Sequence, residues 1–347
     1  MVGAQYWRKR FAAWSRRLPQ RDGYTLLVPV PGDLPVFLDL SLAVCRLQDP
    51  TSRVATYVVP DVMTPMVQAA VDRARPSWHG DLQLLELPLA ERLVLPRLND
   101  PGRNHGAQII TGVSAARSSH VVLHDADLFL LQADAHEAQY QRACEGGLAV
   151  LGVSPSWDPW YAAHGLTLAA TWEMTARTDW LRSFPPHRLI GHDADLFGER
   201  HTFDTTFWGQ CHTPQQQIGV HDLGDDLIHF NYVISTYRRF QKRPAGAFHD
   251  AQFRLLLIRV LIDLFDQGQD DSYALPSLTE MAAGLGNPHA GITYSEADAA
   301  TFSGFRTKLQ GILDGPWTTD HRRAQATTAL KAFDRFYDGA VTVNPPR

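Results

Sequence analysis

The hexapeptide His-Asp-Ala-Asp-Leu-Phe occurs twice in this chain, at residues 124–129 and at residues 192–197. The first copy contributes Asp125 and Asp127, two carboxylates separated by the small residue Ala126. Mg²⁺ and Mn²⁺ prefer such hard oxygen ligands and are often held by one or two carboxylates together with substrate phosphates. The pair therefore predicts a divalent-metal site for a substrate that carries a diphosphate. A solvated loop whose carboxylates cap backbone amides is the structural alternative.

An apolar run at residues 119–123 leads directly into the first aspartate pair and predicts a buried strand. Earlier strands are predicted at residues 24–30, 54–59 and 82–87, and helices at residues 37–47, 66–75 and 105–117. This alternation predicts a mostly parallel α/β sheet with helices on both faces. Ligands of such sheets bind beyond the carboxyl ends of the strands, which is where Asp61, Asp125 and Asp127 are expected.

The loop after the first strand reads Val30-Pro31-Gly32-Asp33. It contains neither the three-glycine dinucleotide fingerprint nor the Gly-Lys-Ser/Thr phosphate loop, which argues against a nicotinamide enzyme or a P-loop ATPase. A metal ion is then expected to handle the phosphates in place of a glycine-rich turn.

Composition narrows the class of protein further. The chain has 347 residues, 44% of them hydrophobic, and a formal net charge of −5, so we expect a globular protein with no general attraction to nucleic acid. The three cysteines, Cys45, Cys144 and Cys211, are widely spaced and predict neither a disulfide framework nor a cysteine-based zinc site. No apolar run approaches the roughly 18 residues of a membrane span, so we expect a cytoplasmic protein.

Three regions are predicted along the chain. Residues 1–20 form a basic, aromatic arm that either makes peripheral contact with a membrane or packs on its own domain. Residues 21–243 form the catalytic domain, with a nucleotide-binding half at 21–130 and an acceptor half at 131–243. Residues 244–347 are mainly helical. In that region, residues 253–265 are apolar nearly all round, which predicts a buried helix or one covered by a partner subunit in a homo-oligomer.

Between residues 24 and 237, the chain resembles a bacterial-type GT-A glycosyltransferase. The resemblance lies in four pieces that occur in order: a proline-containing loop after the first strand, Asp61 ending the second strand, Arg103-Asn104-His105-Gly106 ahead of a helix, and the first hexapeptide. It implies transfer of a sugar from a nucleoside-diphosphate sugar, with UDP as the default donor nucleotide, to an acceptor hydroxyl or amine.

The resemblance also implies roles for particular residues. Asp125 and Asp127 would hold Mn²⁺ or Mg²⁺, with His229 as a third ligand from a segment that closes over the donor. The donor-binding residues it implies are Pro29, Val30, Pro31, Asp61, Asn104, Asp125 and Arg238. Two structural alternatives stay open: His229 in an aromatic cluster with its neighbours, and Arg238 in a solvated basic helix end.

The second half of the catalytic domain is expected to bind the acceptor. Aromatic faces stack on the apolar faces of sugar rings, so Trp157, Trp160, Trp172 and the adjacent Glu173 are candidate acceptor contacts, although packed core aromatics give the same pattern.

Residues 191–210 are predicted to form a loop on the acceptor side. In an inverting transfer, Asp204 would act as the general base, with Asp193 and Asp195 as substitutes. An N-cap of the following helix is the structural alternative for Asp204.

Two other functions remain open from the sequence. A sugar-phosphate nucleotidyltransferase also pairs an α/β sheet with metal-binding aspartates, but its glycine-rich, basic first loop is missing here. A non-catalytic relative that binds a nucleotide sugar or a partner would keep the same fold. A metal-dependent hydrolase is disfavoured because the histidines show no close-spaced ligand pair.

Overall fold

The computed structural model of the protein describes residues 14, 20–98, 100–155, 157–221, 227–229, 232–242, 252–265, 273–315 and 318–343. Its strands are β1 (Arg21–Val30), β2 (Arg53–Pro60), β3 (Asp81–Leu84), β4 (Ser118–His124), β5 (Leu128–Leu130), β6 (Val150–Val153), β7 (Glu173–Arg177), β8 (His192–Leu196), β9 (Glu199–Phe203), β10 (Ile218–His221) and β11 (Leu227–His229). Its helices are α1 (Pro35–Arg46), α2 (Pro65–Ala74), α3 (Leu89–Leu98), α4 (Pro101–Ala115), α5 (Ala135–Glu145), α6 (Pro159–Ala163), α7 (Thr178–Ser183), α8 (Pro186–Leu189), α9 (Phe207–Cys211), α10 (Val233–Lys242), α11 (Gln252–Phe265), α12 (Leu278–Ala282), α13 (Ala299–Asp314) and α14 (Asp320–Val343).

Seven strands form the central sheet in the order β10-β6-β7-β4-β1-β2-β3. β1 runs parallel to β2 and β4, β2 parallel to β3, and β10 parallel to β6, whereas β7 runs antiparallel to both β4 and β6. This topology confirms the predicted fold class, a mostly parallel α/β sheet flanked by helices with further helices at the C-terminal end. After β1 the chain moves outward to β2 and β3, then returns to the other side of β1 at β4.

Strand β1 is buried over eight consecutive residues, as expected for a central strand covered on both faces. Helix α4 packs on it closely, because an added Cβ at Gly112 would lie 2.6 Å from a methyl group of Leu27. The glycine therefore permits the short distance between helix and strand. Since α4 also carries residues toward the carboxyl ends of the strands, this contact sets the position of one wall of the candidate site.

Three helices around the sheet begin with a capping side chain followed by proline. Thr64 caps α2, Asp100 caps α4 and Asp158 caps α6, each accepting a hydrogen bond from a backbone amide in the first turn. Proline follows each cap, where its missing N–H costs nothing. Helix α4 therefore starts four residues before the predicted start at residue 105.

The structure corrects several sequence-based boundaries. The segment at 191–210, predicted as a loop, contains the antiparallel hairpin β8–β9, and the helix expected after Asp204 is α9. The strand predicted at 82–87 ends at residue 84 and is followed by α3. Trp172 directly precedes β7, and Glu173 is its first residue. The direction of β7 depends on which strands accept it, which local periodicity does not specify.

The chain divides into two compact units. The first comprises Met1–Ser41, Gln48–Leu128 and Ala133–Asp226, and the second comprises Leu42–Leu47, Phe129–Gln132 and Leu227–Arg347. The first unit contains the central sheet, whereas the second is built around an aromatic core that includes Phe253, Tyr294, Phe302, Phe333 and Tyr337. The N-terminal arm lies outside the described residues except for Trp14, which is buried. Among the described residues, no helix combines the length and the apolarity needed to cross a bilayer.

Candidate functional site

Asp125 and Asp127 follow the last residue of β4, as the sequence predicted. The Asp125 amide donates to the Trp172 carbonyl at 3.1 Å, and the Asp125 carbonyl accepts from the Leu128 amide at 3.1 Å. These bonds shape a tight turn from which both carboxylates emerge partly exposed. The turn lies at the carboxyl end of β4, next to β1, where the strand order reverses. Ligands of open α/β sheets bind at such a point.

His105, in the first turns of α4, contacts the first aspartate directly. Its Nε2 lies 2.8 Å from Asp125 Oδ1. Burial lowers the pKa of His105, but the carboxylates of Asp125, Asp204 and Asp127 outweigh burial and leave its pKa raised overall. His105 therefore restrains the orientation of the Asp125 carboxylate. The adjacent Asn104 has a buried Oδ1 that accepts no hydrogen bond from any described residue.

The two carboxylates fit a metal ion whose remaining ligands come from the substrate and water. Within the described ranges, no group of three or more His, Cys, Asp or Glu side chains is arranged to hold a metal ion. Two carboxylates are nevertheless enough for Mg²⁺ or Mn²⁺ when phosphate oxygens and water supply the other ligands. The hydrogen bond from His105 to Asp125 is the kind of outer contact that commonly orients a ligating carboxylate.

The loops after β1 and β2 are bound to each other. Asp61 Oδ1 accepts from the Gly32 amide at 2.8 Å, and the Thr64 hydroxyl donates to the Gly32 carbonyl at 2.9 Å. An added Cβ at Gly32 would lie only 1.6 Å from the Val62 carbonyl oxygen, so the close approach requires glycine. One oxygen of Asp61 is thus engaged in holding the loop.

Gln108 of α4 fixes the carboxyl ends of β1 and β2 from the other side. Its Nε2 donates to the carbonyls of Val30 at 2.9 Å and Val59 at 2.6 Å. The side chains of Pro29 and Val30 are buried, whereas Pro31 is partly exposed. Of these three predicted donor contacts, Pro31 is therefore the one whose side chain is accessible.

A cavity of about 620 Å³ lies in the first unit, a size that suits a small-molecule ligand. We call it the hairpin cavity, because hairpin β8–β9 forms one wall. The first turn of α4 and the segment from Trp157 to Tyr161 form the others. Its charged and aromatic lining residues include Asp100, Arg103, Trp157, Asp158, Tyr161, Asp193, Arg200 and Asp204.

Asp204 lies in the wall of the hairpin cavity with an exposed side chain. Its carboxylate accepts from the Thr205 amide at 2.7 Å, and the residue that caps α9 is Thr206, so the N-cap alternative for Asp204 is wrong. Because the charge of Asp204 acts on His105, the cavity and the aspartate pair are electrostatic neighbours.

The second hexapeptide copy forms β8 and the turn of the hairpin. Phe197 and Gly198 both have positive φ, at 55° and 83°, as a two-residue hairpin turn requires. Asp193 accepts from the Thr202 hydroxyl at 2.8 Å and lines the hairpin cavity. Asp195 is exposed on the same strand but does not line the cavity.

The four predicted acceptor residues fall in different environments. Trp157 is 54% exposed and lines the hairpin cavity. Trp160 does not line it and stacks on His201 at 4.0 Å. Trp172 and Glu173 are buried beside the Asp125 turn, with Glu173 Oε2 at 3.5 Å from a histidine nitrogen. Acceptor binding by the last three stays a prediction.

His229 and Arg238 belong to the second unit, at the end of β11 and within α10. Their predicted contacts with the metal and the diphosphate stay predictions.

Sequence reasoning did not predict Asp100 and Arg103 as cavity residues or His105 as the partner of Asp125. The signal Asp100-Pro101, a cap followed by proline, would have extended α4 to include Arg103.

No protein-family model and no curated protein matches the chain. Solved structures to which it is similar include TarS from S. aureus, at 11% identity over 92% of this chain and 54% of that chain, with a TM-score of 0.39. They also include the mannosyltransferase PcManGT from Pyrobaculum calidifontis in complex with GDP-Man and Mn²⁺, at 14% identity, 97% and 93% coverage, and a TM-score of 0.37. A third is glucosyl-3-phosphoglycerate synthase from Mycobacterium tuberculosis in complex with phosphoglyceric acid, at 14% identity, 74% and 81% coverage, and a TM-score of 0.42.

This chain thus spans about half the length of the TarS chain. The solved structures that it resembles include glycosyltransferases, but the likeness is too distant to assign an activity. The function has to be argued from the residues of this chain.

Proposed function

We propose that this chain is a metal-dependent glycosyltransferase of the GT-A type, which transfers a sugar from a nucleoside-diphosphate sugar to an acceptor hydroxyl or amine. The observation that carries the proposal is the position of Asp125 and Asp127. Both follow β4 at the carboxyl edge of the sheet, beside β1, where the strand order reverses. The hairpin cavity, with Asp204 in its wall, provides space for a second substrate near the pair.

Asp125 and Asp127 would hold Mn²⁺ or Mg²⁺, and His105 keeps Asp125 in place through the contact at 2.8 Å. When bound, such an ion neutralises negative charge on the diphosphate and so stabilises the leaving group. The motif resemblance also predicts His229 as a third ligand and Arg238 as a diphosphate contact.

The donor nucleotide would lie over the joined loops after β1 and β2. Pro31 is accessible there, and the buried side-chain oxygen of Asn104, which no described residue engages, can accept from a ribose hydroxyl or a base N–H. Asp61, which binds the Gly32 amide through Oδ1, would be the contact to the base. UDP is the default nucleotide, by resemblance only.

Asp204 is the best-placed general base of the three predicted carboxylates. It is exposed and lines the hairpin cavity, whereas Asp195 lies outside it. The Thr202 hydrogen bond and the charge of Arg200 lower the pKa of Asp193, which makes that carboxylate a weaker base. In an inverting transfer, Asp204 would take the proton of the attacking hydroxyl while the bond from the anomeric carbon to the diphosphate oxygen breaks. A retaining transfer would not need this base.

Nucleotide binding tests the proposal directly. We expect UDP or GDP to raise the melting temperature of the protein in the presence of Mn²⁺, since a ligand that binds the folded state stabilises it. The double variant Asp125→Asn with Asp127→Asn should lose this shift. Asp72→Asn, on the exposed face of α2, is the matched control and should keep it.

The proposal fails if no nucleoside diphosphate shifts the wild-type melting temperature with either metal, or if the double variant responds like the wild type. Turnover of a bound nucleotide sugar, followed as release of the nucleoside diphosphate, separates an enzyme from a non-catalytic relative.

A further inference from the structure

The wall of the hairpin cavity carries more acidic than basic side chains. Of the residues that the structure describes, four aspartates line the cavity, Asp100, Asp158, Asp193 and Asp204, against two arginines. Each arginine already pairs with one of these aspartates: Arg103 with Asp100 at 3.1 Å, and Arg200 with Asp193 at 3.5 Å. The positive charge of each guanidinium is therefore already balanced by an aspartate of the cavity wall.

Among the described lining residues, no other group supplies a compensating positive charge at neutral pH. Burial lowers the pKa of His192, which keeps its imidazole neutral. An anionic ligand entering the cavity would thus meet a wall with a net negative charge and would be repelled. A ligand without phosphate or carboxylate would meet no such repulsion.

The cavity also has an aromatic wall with an open face. Trp157 is 54% exposed, which is unusual for so large an apolar ring, and stacks on Phe207 with ring centroids 6.4 Å apart. Tyr161 meets Phe207 edge to face at 5.3 Å on the inner side. An exposed indole face of this kind suits the apolar C–H face of a sugar ring.

The hydroxyl of Tyr161 is a second feature that indicates a ligand. The residue is 3% exposed and lines the hairpin cavity, yet its hydroxyl has no hydrogen-bond partner among the described residues. A buried hydroxyl without a partner costs free energy, so such groups usually meet water or a ligand. Burial raises the pKa of Tyr161, so the hydroxyl stays neutral and can donate to a sugar oxygen.

We propose that the hairpin cavity binds a saccharide acceptor that carries neither phosphate nor carboxylate, with Trp157 as the ring platform and Tyr161 as a hydrogen-bonding contact. This inference rests on the proposed glycosyltransferase function and specifies the chemical class of its acceptor. The acidic wall excludes phosphorylated and uronic saccharides, and the exposed carboxylate of Asp204 can accept from sugar hydroxyls.

The test compares matched saccharides. Methyl hexosides and disaccharides are compared with their 6-phosphates and uronates for binding by saturation-transfer NMR and calorimetry, in the presence of UDP and Mn²⁺. We expect uncharged saccharides to bind at least about 10-fold more tightly than their phosphorylated counterparts, with the gap narrowing at high ionic strength.

Two cavity variants and one control localise the binding. Trp157→Ala should weaken saccharide binding by about 10-fold, and Tyr161→Phe, which removes only the hydroxyl, by about 5-fold. Phe197→Ala removes an aromatic ring of similar exposure at the hairpin turn, outside the cavity, and should bind normally.

Failure of this inference is distinguishable from failure of the proposed function. If UDP binds with Mn²⁺ but phosphorylated saccharides bind as well as uncharged ones, or no saccharide binds, the acceptor class is wrong and the glycosyltransferase proposal stands. Binding that survives both Trp157→Ala and Tyr161→Phe would also overturn it. Absence of nucleotide binding would instead remove the proposed function.

Discussion

Gln108→Met tests whether α4 holds the nucleotide-binding edge of the sheet together. Gln108 is 5% exposed, and its Nε2 donates to the Val30 carbonyl at 2.9 Å and to the Val59 carbonyl at 2.6 Å. Methionine has nearly the same length and volume but no donor. The substitution therefore removes both hydrogen bonds with little change in packing.

The expected loss of stability follows from the two acceptors. A buried hydrogen bond contributes a net 0.5–1.5 kcal/mol or so, and a carbonyl left without its donor costs about 1–3 kcal/mol. The Val30 carbonyl keeps one partner, because it also accepts from the Asp61 amide at 3.1 Å. The Val59 carbonyl also keeps a partner, the Val30 amide, because Val30 pairs in parallel with Pro60, which has no N–H. Losing two buried hydrogen bonds without stranding either acceptor gives a loss of roughly 1–3 kcal/mol.

Urea unfolding followed by circular dichroism measures this loss, and UDP titration with Mn²⁺ measures the effect on the site. We expect the free energy of unfolding to fall by the stated amount and nucleotide affinity to fall with it, since the loops after β1 and β2 lose a common anchor. Gln68→Met is the control. This exposed glutamine donates only to Asp72 on the same helix, a pair that contributes about 0.2–0.5 kcal/mol. A Gln108→Met variant as stable as Gln68→Met would refute the assignment.

Two further predictions concern backbone approach and pH. Gly32→Ala places a Cβ 1.6 Å from the Val62 carbonyl oxygen, so the loop must move. We expect the free energy of unfolding to fall by about 1–3 kcal/mol and nucleotide binding to weaken. Gly304→Ala, in open space on a helix, is the control and should be neutral or stabilising. Equal unfolding midpoints for the two variants would contradict this. Burial, followed by the nearby His124, lowers the pKa of His136 well below the usual value, so the folded protein keeps His136 neutral while the unfolded chain binds a proton below about pH 6.5. The free energy of unfolding should therefore fall as pH drops below about 6.5, by up to about 1.4 kcal/mol per pH unit from this group. The fall should be less steep in His136→Gln. If urea titrations from neutral to acid pH give parallel curves for the two proteins, His136 does not contribute.

The central strands and their helices were predictable because burial on both faces requires continuous apolar runs. Residues 24–30 and 54–59 lie within β1 and β2, and the predicted helices 37–47 and 66–75 match α1 and α2 within about two residues. The antiparallel direction of β7 was not predictable. It depends on hydrogen bonding to β4 and β6, which are distant in sequence.

The candidate site was predictable only in part. Asp125 and Asp127 follow an apolar strand, so the sequence alone places them at the ligand edge of the sheet. The pairing of His105 with Asp125 joins residues 20 positions apart on different elements. Asp204, between β9 and α9, raises the pKa of the same histidine through its charge. Such proximity arises from packing and leaves no periodic trace in the sequence.

The two hexapeptides separate what sequence determines from what tertiary structure decides. Their six residues are identical, so their local propensities are the same. In the first copy, His124 is the last residue of β4, which lies between β1 and β7, and both aspartates follow at the end of this buried strand. In the second, residues 192–196 pair with β9 and Phe197 begins a tight turn, which leaves Asp193 and Asp195 on the exposed side of a hairpin. The flanking apolar run determines the first outcome from sequence alone. Pairing with β9 decides the second, because a backbone in a two-stranded ribbon satisfies its hydrogen bonds through the partner strand and not within the six residues of the motif.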